Sequence, residues 1–159
     1  MQILKIDQKI SKWALKRRER DGFWDALAVF VAHYFVFMIA VITIVTAELI
    51  ALPTLFIAWL ITLGIEFMVK RPRPFQAMKT HPLARYWVPT PSFPSAHATW
   101  SFAGAVLTCF ANPVWGAMAL VLAVLVSWSR VYVGVHYLSD VVAGAIVGTV
   151  VSLVVGLLW

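Results

Sequence analysis

Ser129-Arg130-Val131-Tyr132-Val133-Gly134-Val135-His136-Tyr137-Leu138-Ser139-Asp140 sets an arginine, a histidine and an aspartate at fixed spacing between two apolar runs of membrane length. Ionisable side chains are costly in a bilayer, so such a cluster at the end of apolar runs points to chemistry rather than packing. A helix beginning near His136 puts His136 and Asp140 four residues apart on one face, where the carboxylate accepts a hydrogen bond from the imidazole and fixes its tautomer. The other ring nitrogen is then free to attack. Arg130 ends the preceding run across a short turn containing Gly134, and its planar fork is suited to holding a phosphate in front of His136.

Composition agrees with the membrane setting. The chain of 159 residues is 62% hydrophobic and 13% charged, against about 45–50% and 25% in soluble domains. The single cysteine, Cys109, excludes an intramolecular disulfide and a Cys-rich metal site. A net charge of +6 suggests an anionic partner, and for a membrane protein that partner is the lipid headgroup layer. With no soluble domain to bind it, nucleic acid is not expected.

Outward from the opening stretch, the expected fold class is an all-α integral membrane protein, a bundle of five transmembrane helices with an N-terminal interfacial amphipathic helix. Residues 1–22 form the amphipathic segment and residues 23–159 the membrane domain. The N-terminal segment lacks the apolar core and cleavage site of a signal peptide. Ile3, Ile6, Ile10 and Trp13 recur at helical spacing, with Lys5, Lys9, Lys12, Lys16, Arg17, Arg18 and Arg20 between and after them. A solvated basic tail is the plainer alternative. Apolar runs follow at Ala26–Ala47, Ile50–Val69, Ala96–Ala111, Val114–Tyr132 and Tyr137–Trp159, each close to the roughly 20 residues that span a bilayer. Tight joints at Glu48-Leu49 and Asn112-Pro113 predict two antiparallel hairpins. The loop from Lys70 to Pro94 carries Pro72, Pro74, Pro82, Pro89, Pro91 and Pro94, which argue against helix and for a stiff folded lid. Counting crossings puts this loop, the Arg130–His136 turn and the N-terminus on one membrane face.

That topology gathers three polar clusters: Lys70-Arg71-Pro72-Arg73-Pro74-Phe75, Pro91-Ser92-Phe93-Pro94-Ser95-Ala96-His97, and the opening stretch. Ser95 is a natural N-cap whose following free amides form an anion site. Two histidines, two arginines and a serine beside helix ends supply what phosphoryl transfer without a metal needs: a nucleophile, an acid for the leaving oxygen and donors for the equatorial oxygens. No acidic cluster suited to Mg²⁺ is present.

These residues resemble the type 2 phosphatidic acid phosphatase superfamily, with its signature KxxxxxxRP, PSGH and SRxxxxxHxxxD. Ser129-Arg130, His136 and Asp140 match the third part, Pro94-Ser95-Ala96-His97 the second but for one residue, and Arg73-Pro74 the end of the first. Within the superfamily, Arg-Pro-Arg-Pro-Phe, Ser-Phe-Pro-Ser-x-His and Ser-Arg-x-x-x-Gly-x-His-Tyr are most similar to bacterial undecaprenyl-diphosphate phosphatases. The resemblance implies hydrolysis of a lipid phosphate or diphosphate, without metal or cofactor, in a bacterial or archaeal cell membrane. The first expected substrate is a polyprenyl diphosphate such as undecaprenyl diphosphate; phosphatidic acid or phosphatidylglycerol phosphate is the alternative. It further implies that His136 becomes a phosphohistidine, that Asp140 orients it, and that His97 protonates the leaving oxygen and later activates water. Arg73, Arg130, Ser95 and the amide of Ala96 would bind phosphate. Ala96 replaces the motif glycine, at little cost unless the position needs positive φ. Glu66 stands at the motif lysine, and Lys70, one turn later, is the candidate to neutralise it or to supply the missing cation.

The plainer readings are these. His33 is expected to be a packing or hydrogen-bonded residue, and Lys79, His81 and Arg85 solvated or headgroup contacts. Asp140, Gly144, Gly148, Ser152 and Gly156 continue the row from His136 as a close-packing stripe. Trp24, Trp87, Trp115 and Trp159 read as interfacial anchors. A non-catalytic phospholipid-binding protein and a vanadate-using haloperoxidase are the other classes to be weighed. All thirteen Lys and Arg fall on the expected catalytic face, seven of them in the N-terminal tail. The positive-inside rule puts that face in the cytoplasm, whereas the similar undecaprenyl-diphosphate phosphatases are expected to face outward.

Overall fold

The computed structural model describes residues 4–17, 22–83 and 90–159. Ile3, Arg18, Arg20, Arg85, Trp87 and the side chain of Arg17 lie outside them. Among the described residues the chain is all helical: α1 (Lys5–Arg17), α2 (Gly22–Ala47), α3 (Ala51–Val69), α4 (Pro74–Ala77), α5 (Ala96–Ala111), α6 (Pro113–Tyr132) and α7 (Leu138–Leu158). Among the described residues, three helical segments are long and apolar enough to cross a membrane: Gly22–Ala77, which turns back on itself between α2 and α3, Pro113–Tyr132 and Leu138–Leu158.

The helix ends follow from local chemistry. A 3-10 turn at Glu48–Ile50 joins α2 to α3, with Glu48 at φ 48°. Asn112 caps α6 by accepting from the amides of Val114 and Trp115, both at 3.1 Å, and Pro113 at the first helical position has no amide to leave unpaired. The prolines of the 70–94 loop do not preclude helix throughout. Pro74 opens the short α4, because its fixed φ is suited to a first turn.

Helix α5 is the centre of the bundle and packs against α2, α3, α6 and α7. The interior mixes small apolar residues with hydroxyls, Thr43, Thr54, Thr62, Ser101, Thr108 and Ser152 being buried beside Ala32, Ile39, Ala103 and Leu107, while the outside is strongly apolar, with Phe37, Val45, Leu52, Val121 and Val150 exposed. Some of the buried hydroxyls are satisfied within their own helix, as where Thr43 donates to Ile39 O and Thr62 to Ala58 O, both at 2.8 Å. The glycine row of α7 makes the closest helix contact. A Cβ on Gly144 would lie 2.6 Å from Ser95 O and one on Gly148 2.2 Å from Thr99 O, and Ser152 donates to Ala103 O at 2.6 Å. This contact holds the start of α5 against the start of α7.

Helix α1 lies against α6 and α7. Its buried side chains are Asp7, Ser11 and Ala14, with Ile10 packed on Ala98, Val131 and Val141, whereas Ile6 and Trp13 face outward. The lysines of α1 thus lie on its exposed side together with Ile6 and Trp13, and Asp7 is the charged residue turned toward the protein. Trp24, Trp115 and Trp159 are exposed, as membrane anchors would be.

Candidate active site

Three connections meet at one end of the bundle: the segment leaving α3, the segment entering α5, and the α6–α7 turn. Gly134 sits in that turn at φ 78°, a conformation that favours glycine. The turn returns His136 beneath the end of α6, where its amide donates to Arg130 O at 3.3 Å.

His136 is 2% exposed. Its Nδ1 lies 2.9 Å from Ser92 O, and since a carbonyl only accepts, Nδ1 carries the proton. Nε2 then presents its lone pair to Arg73 Nη1, 3.3 Å away. Burial, first of all, and the neighbouring Arg73 and Arg130 hold the imidazole pKa down at about 4 against an upward pull from Asp140, so the ring is neutral and nucleophilic near pH 7.

Asp140 does not meet His136 in the expected way. Helix α7 starts at Leu138, near His136 but two residues past it, so Asp140 occupies the third helical position and its Oδ2 accepts the Tyr137 amide at 2.8 Å. Oδ2 also accepts from the Ser92 hydroxyl and remains 3.8 Å from His136 Nδ1. The carboxylate therefore acts on the ring chiefly through Ser92. That residue is held at three points: its amide donates to Arg71 O at 2.8 Å, its hydroxyl to Asp140, and its carbonyl accepts from His136 Nδ1 at 2.9 Å.

Arg73 and Arg130 flank the ring. Arg73 donates from Nε to Thr90 O at 3.0 Å, from Nη1 to Val135 O at 3.2 Å and from Nη2 to the Thr90 hydroxyl at 3.1 Å. Arg130 is buried in the last turn of α6, with Nη1 3.5 Å from Ala32 O and no partner on Nε. A guanidinium at the histidine nitrogen and a second buried one with a spare donor nearby are chemically able to hold an anion. Ser95 caps α5, its hydroxyl oxygen accepting from Ala98 N at 3.4 Å. Ala96 opens the helix and is not among the described positive-φ residues, so a methyl group there causes no backbone strain. His97 follows, within electrostatic reach of Arg130, His136, Arg73 and His33. His33 donates from Nδ1 to Val29 O at 2.8 Å within α2, in line with a hydrogen-bonded structural residue.

Lys70 is not gathered with the others. It ends α3 in a left-handed conformation at φ 50° with its side chain exposed; its backbone amide donates to Glu66 O at 3.0 Å, but among the described residues no side-chain hydrogen bond or ion pair joins Lys70 to the Glu66 carboxylate. The left-handed cap turns it out of the helical face that would have stacked it one turn from Glu66. Glu66 is instead buried, within reach of Arg73 and the Thr90 hydroxyl. Arg71, Ser92, Thr90 and Asp7 are site residues that sequence reasoning missed. Ser92 and Arg71 had a local signal, in the Ser-Phe-Pro-Ser-x-His and Arg-Pro-Arg-Pro-Phe stretches.

The chain matches the model of the PAP2 superfamily over residues 47–158. It is 47% identical over 62 residues to an undecaprenyl-diphosphatase of Sulfolobus acidocaldarius, a match covering 38% of this chain and 30% of that protein. It is 39% identical over 103 residues to the decaprenylphosphoryl-5-phosphoribose phosphatase of Mycobacterium tuberculosis, covering 63% of this chain and 54% of the relative. Identity to undecaprenyl-diphosphatase BcrC of Bacillus subtilis is 29% over 142 residues, 80% of this chain and 71% of the relative. The first two matches thus span only a third to a half of those relatives. Among solved structures, the transmembrane PAP2-type phosphatidylglycerolphosphate phosphatase of Bacillus subtilis superposes with a TM-score of 0.75 at 23% identity, covering 94% of this chain and 82% of that one. Aquifex aeolicus LpxE gives a TM-score of 0.75 at 19% identity, covering 98% and 97%. With its motif residues assembled at one end of that shared fold, this integral membrane chain belongs to the PAP2 superfamily.

Proposed function

We propose that this protein hydrolyses a lipid phosphate or diphosphate through a phosphohistidine. One observation carries the reading: a neutral His136 whose Nδ1–H is engaged by Ser92 O, leaving Nε2 facing the buried guanidinium of Arg73. In the first step Nε2 attacks phosphorus, the bond to the lipid oxygen breaks, and His97 gives that oxygen its proton. Arg73, Arg130, Ser95 and the Ala96 amide neutralise the equatorial oxygens as charge builds on them. In the second step His97 takes a proton from water, which attacks the phosphohistidine and releases inorganic phosphate.

A polyprenyl diphosphate such as undecaprenyl diphosphate is the first substrate choice, supported by the names of the matched relatives. Phosphatidic acid or phosphatidylglycerol phosphate is the second, supported by the likeness to the Bacillus phosphatidylglycerolphosphate phosphatase. In the full arrangement α2, α3, α5, α6 and α7 cross the bilayer and α1 lies at its surface, its exposed Ile6 and Trp13 in the lipid. The basic tail supports a cytoplasmic catalytic face. A cysteine at exposed Lys79, in a Cys109→Ala background, then resists an impermeant maleimide on intact cells; efficient labelling would refute that orientation.

Phosphate release by purified protein from the three lipids, with a chelator present, tests the activity. Wild type is expected to turn over and His136→Ala to be inactive. His97→Ala should still form phosphoenzyme from a substrate whose leaving group needs no proton. Near wild-type turnover by His136→Ala would overturn the assignment, and no release by wild type would leave the lipid-binding alternative.

A further inference from the structure

Asp7 and Arg71 lie behind His136 and play no part in the chemistry above, yet they are 0% and 2% exposed. Arg71 is clamped on three sides. Its guanidinium carbon sits 4.1 Å over the centre of the Tyr137 ring. Nη1 donates to Asp140 Oδ1 and, at 2.7 Å, to the Ser139 hydroxyl, and Nη2 donates to Asp7 Oδ2 at 2.8 Å.

Asp7 comes from α1 but serves the first turn of α7. Its Oδ1 accepts from the Ser139 amide at 3.0 Å and its Oδ2 from the Ser139 hydroxyl at 2.6 Å. A helix start leaves amides unpaired and favours negative charge. Tyr137, at the N-cap position of α7, does not fill that need, for its hydroxyl has no partner. Two carboxylates do so instead: Asp140 from within the helix at Tyr137 N, and Asp7 from another helix at Ser139 N. The linkage runs from Asp7 to Arg71, to Asp140, to the Ser92 hydroxyl, and from the Ser92 carbonyl to His136 Nδ1. A buried chain of charges adds little to stability over apolar packing of the same volume, whereas it fixes direction well, and this one ends on the ring whose direction matters.

We propose that Asp7, presented by α1, is a positioning residue for the reaction: it holds Arg71 so that Arg71 fixes Asp140 and, through Ser92, the imidazole of His136. The inference rests on His136 being the nucleophile. Without the Asp7 charge, Arg71 keeps Asp140 and Ser139 but loses the partner that stops its fork from turning.

The test uses full-length protein in detergent and whichever of the three lipids wild type cleaves fastest, with His136→Ala, Asp7→Asn, Arg71→Lys and the Asp7→Asn/Arg71→Lys double variant. Asp7→Asn is isosteric and keeps an oxygen for the Ser139 amide. Its kcat should fall about tenfold, the low end of the loss seen when a partner that orients a reacting group's own ligands is removed, because three residues stand between Asp7 and His136, while KM stays within about twofold. The double variant should be no slower than Arg71→Lys alone, because Asp7 acts through Arg71. Wild-type kcat in Asp7→Asn, or a double variant slowed by the product of the two single effects, overturns the proposal. So does a fall in kcat matched by an equal rise in KM, which general loosening would give. Wild type that releases no phosphate overturns the reading of the site and this inference with it; active wild type, inactive His136→Ala and unaffected Asp7→Asn overturn this inference alone.

Discussion

Gly148→Ala puts one methyl group into the seam that holds the two histidine-bearing elements together. The new Cβ would lie 2.2 Å from Thr99 O and 2.8 Å from Ala103 N. Carbon and oxygen rest without repulsion near ~3.4 Å, so the helices must part by about 1 Å. Both obstructing atoms are α5 backbone, which cannot swing aside as a side chain would. Overpacking of this kind costs about 1–3 kcal/mol, and the bond from Ser152 to Ala103 O, one turn on, is stretched with it. Helix α5 carries Ser95 and His97 at its start, and α7 starts two residues after His136. Parting the helices therefore pulls the proposed acid away from the proposed nucleophile, and a misplacement of about 1 Å lowers turnover on the order of 100-fold. Gly64→Ala is the control, since nothing lies within 4 Å of its added Cβ; it should keep wild-type turnover and gain up to about 1 kcal/mol of helix propensity. Phosphate release and thermal midpoint in the same detergent give both readings. Wild-type turnover and midpoint in Gly148→Ala would refute the claim that this seam sets the distance between the histidines.

Glu66→Lys, which restores the residue of the superfamily motif, should lower kcat/KM by more than about tenfold, because it sets a second cation beside Arg73 in a buried site. Glu66→Gln, which keeps an acceptor near Thr90, should lose less; kcat/KM equal to or above wild type in Glu66→Lys would mark the acid as a defect in phosphate binding. Burial pushes the Asp7 carboxyl up, but Ser139 and Arg71 outweigh it and hold its pKa below the ordinary aspartate value. Its contribution to stability is therefore complete above the unfolded value of about 3.9 and lost as pH falls through the lower folded value. Thermal midpoints from pH 7 to 3 should show wild type losing its advantage over Asp7→Asn only at the acid end; a constant difference would contradict the linkage.

The helices were legible where their ends are made locally. Ser95 before Ala96 and Asn112 before Pro113 cap α5 and α6 with their own side chains, and the glycine row of α7 announced a close contact that the Thr99 and Ser95 carbonyls provide. What stayed hidden depends on distant partners. Arg71 and Arg73 look alike in Arg-Pro-Arg-Pro, yet one meets Asp7 and Asp140 and the other meets Thr90 and His136. Nothing local divides their tasks. Asp7 sat unnoticed among lysines, because a basic amphipathic pattern describes what a helix shows to lipid and says little about the residue it turns inward.

The His-x-x-x-Asp spacing shows why the helix start matters more than the interval. Had α7 begun at His136, both side chains would have risen from one face and Asp140 could have bonded the ring directly. Beginning at Leu138, the helix makes Asp140 its third residue, where a carboxylate is drawn back to the amide before the helix. One oxygen is then shared between Tyr137 N and the Ser92 hydroxyl, and the other is taken by Arg71. The ring receives its tautomer from a carbonyl, which cannot take the proton away, rather than from a carboxylate, which can. His136 is thereby kept neutral with Nε2 unprotonated toward Arg73, and the charge of Asp140 goes into holding Ser92, Arg71 and the start of α7 in one piece.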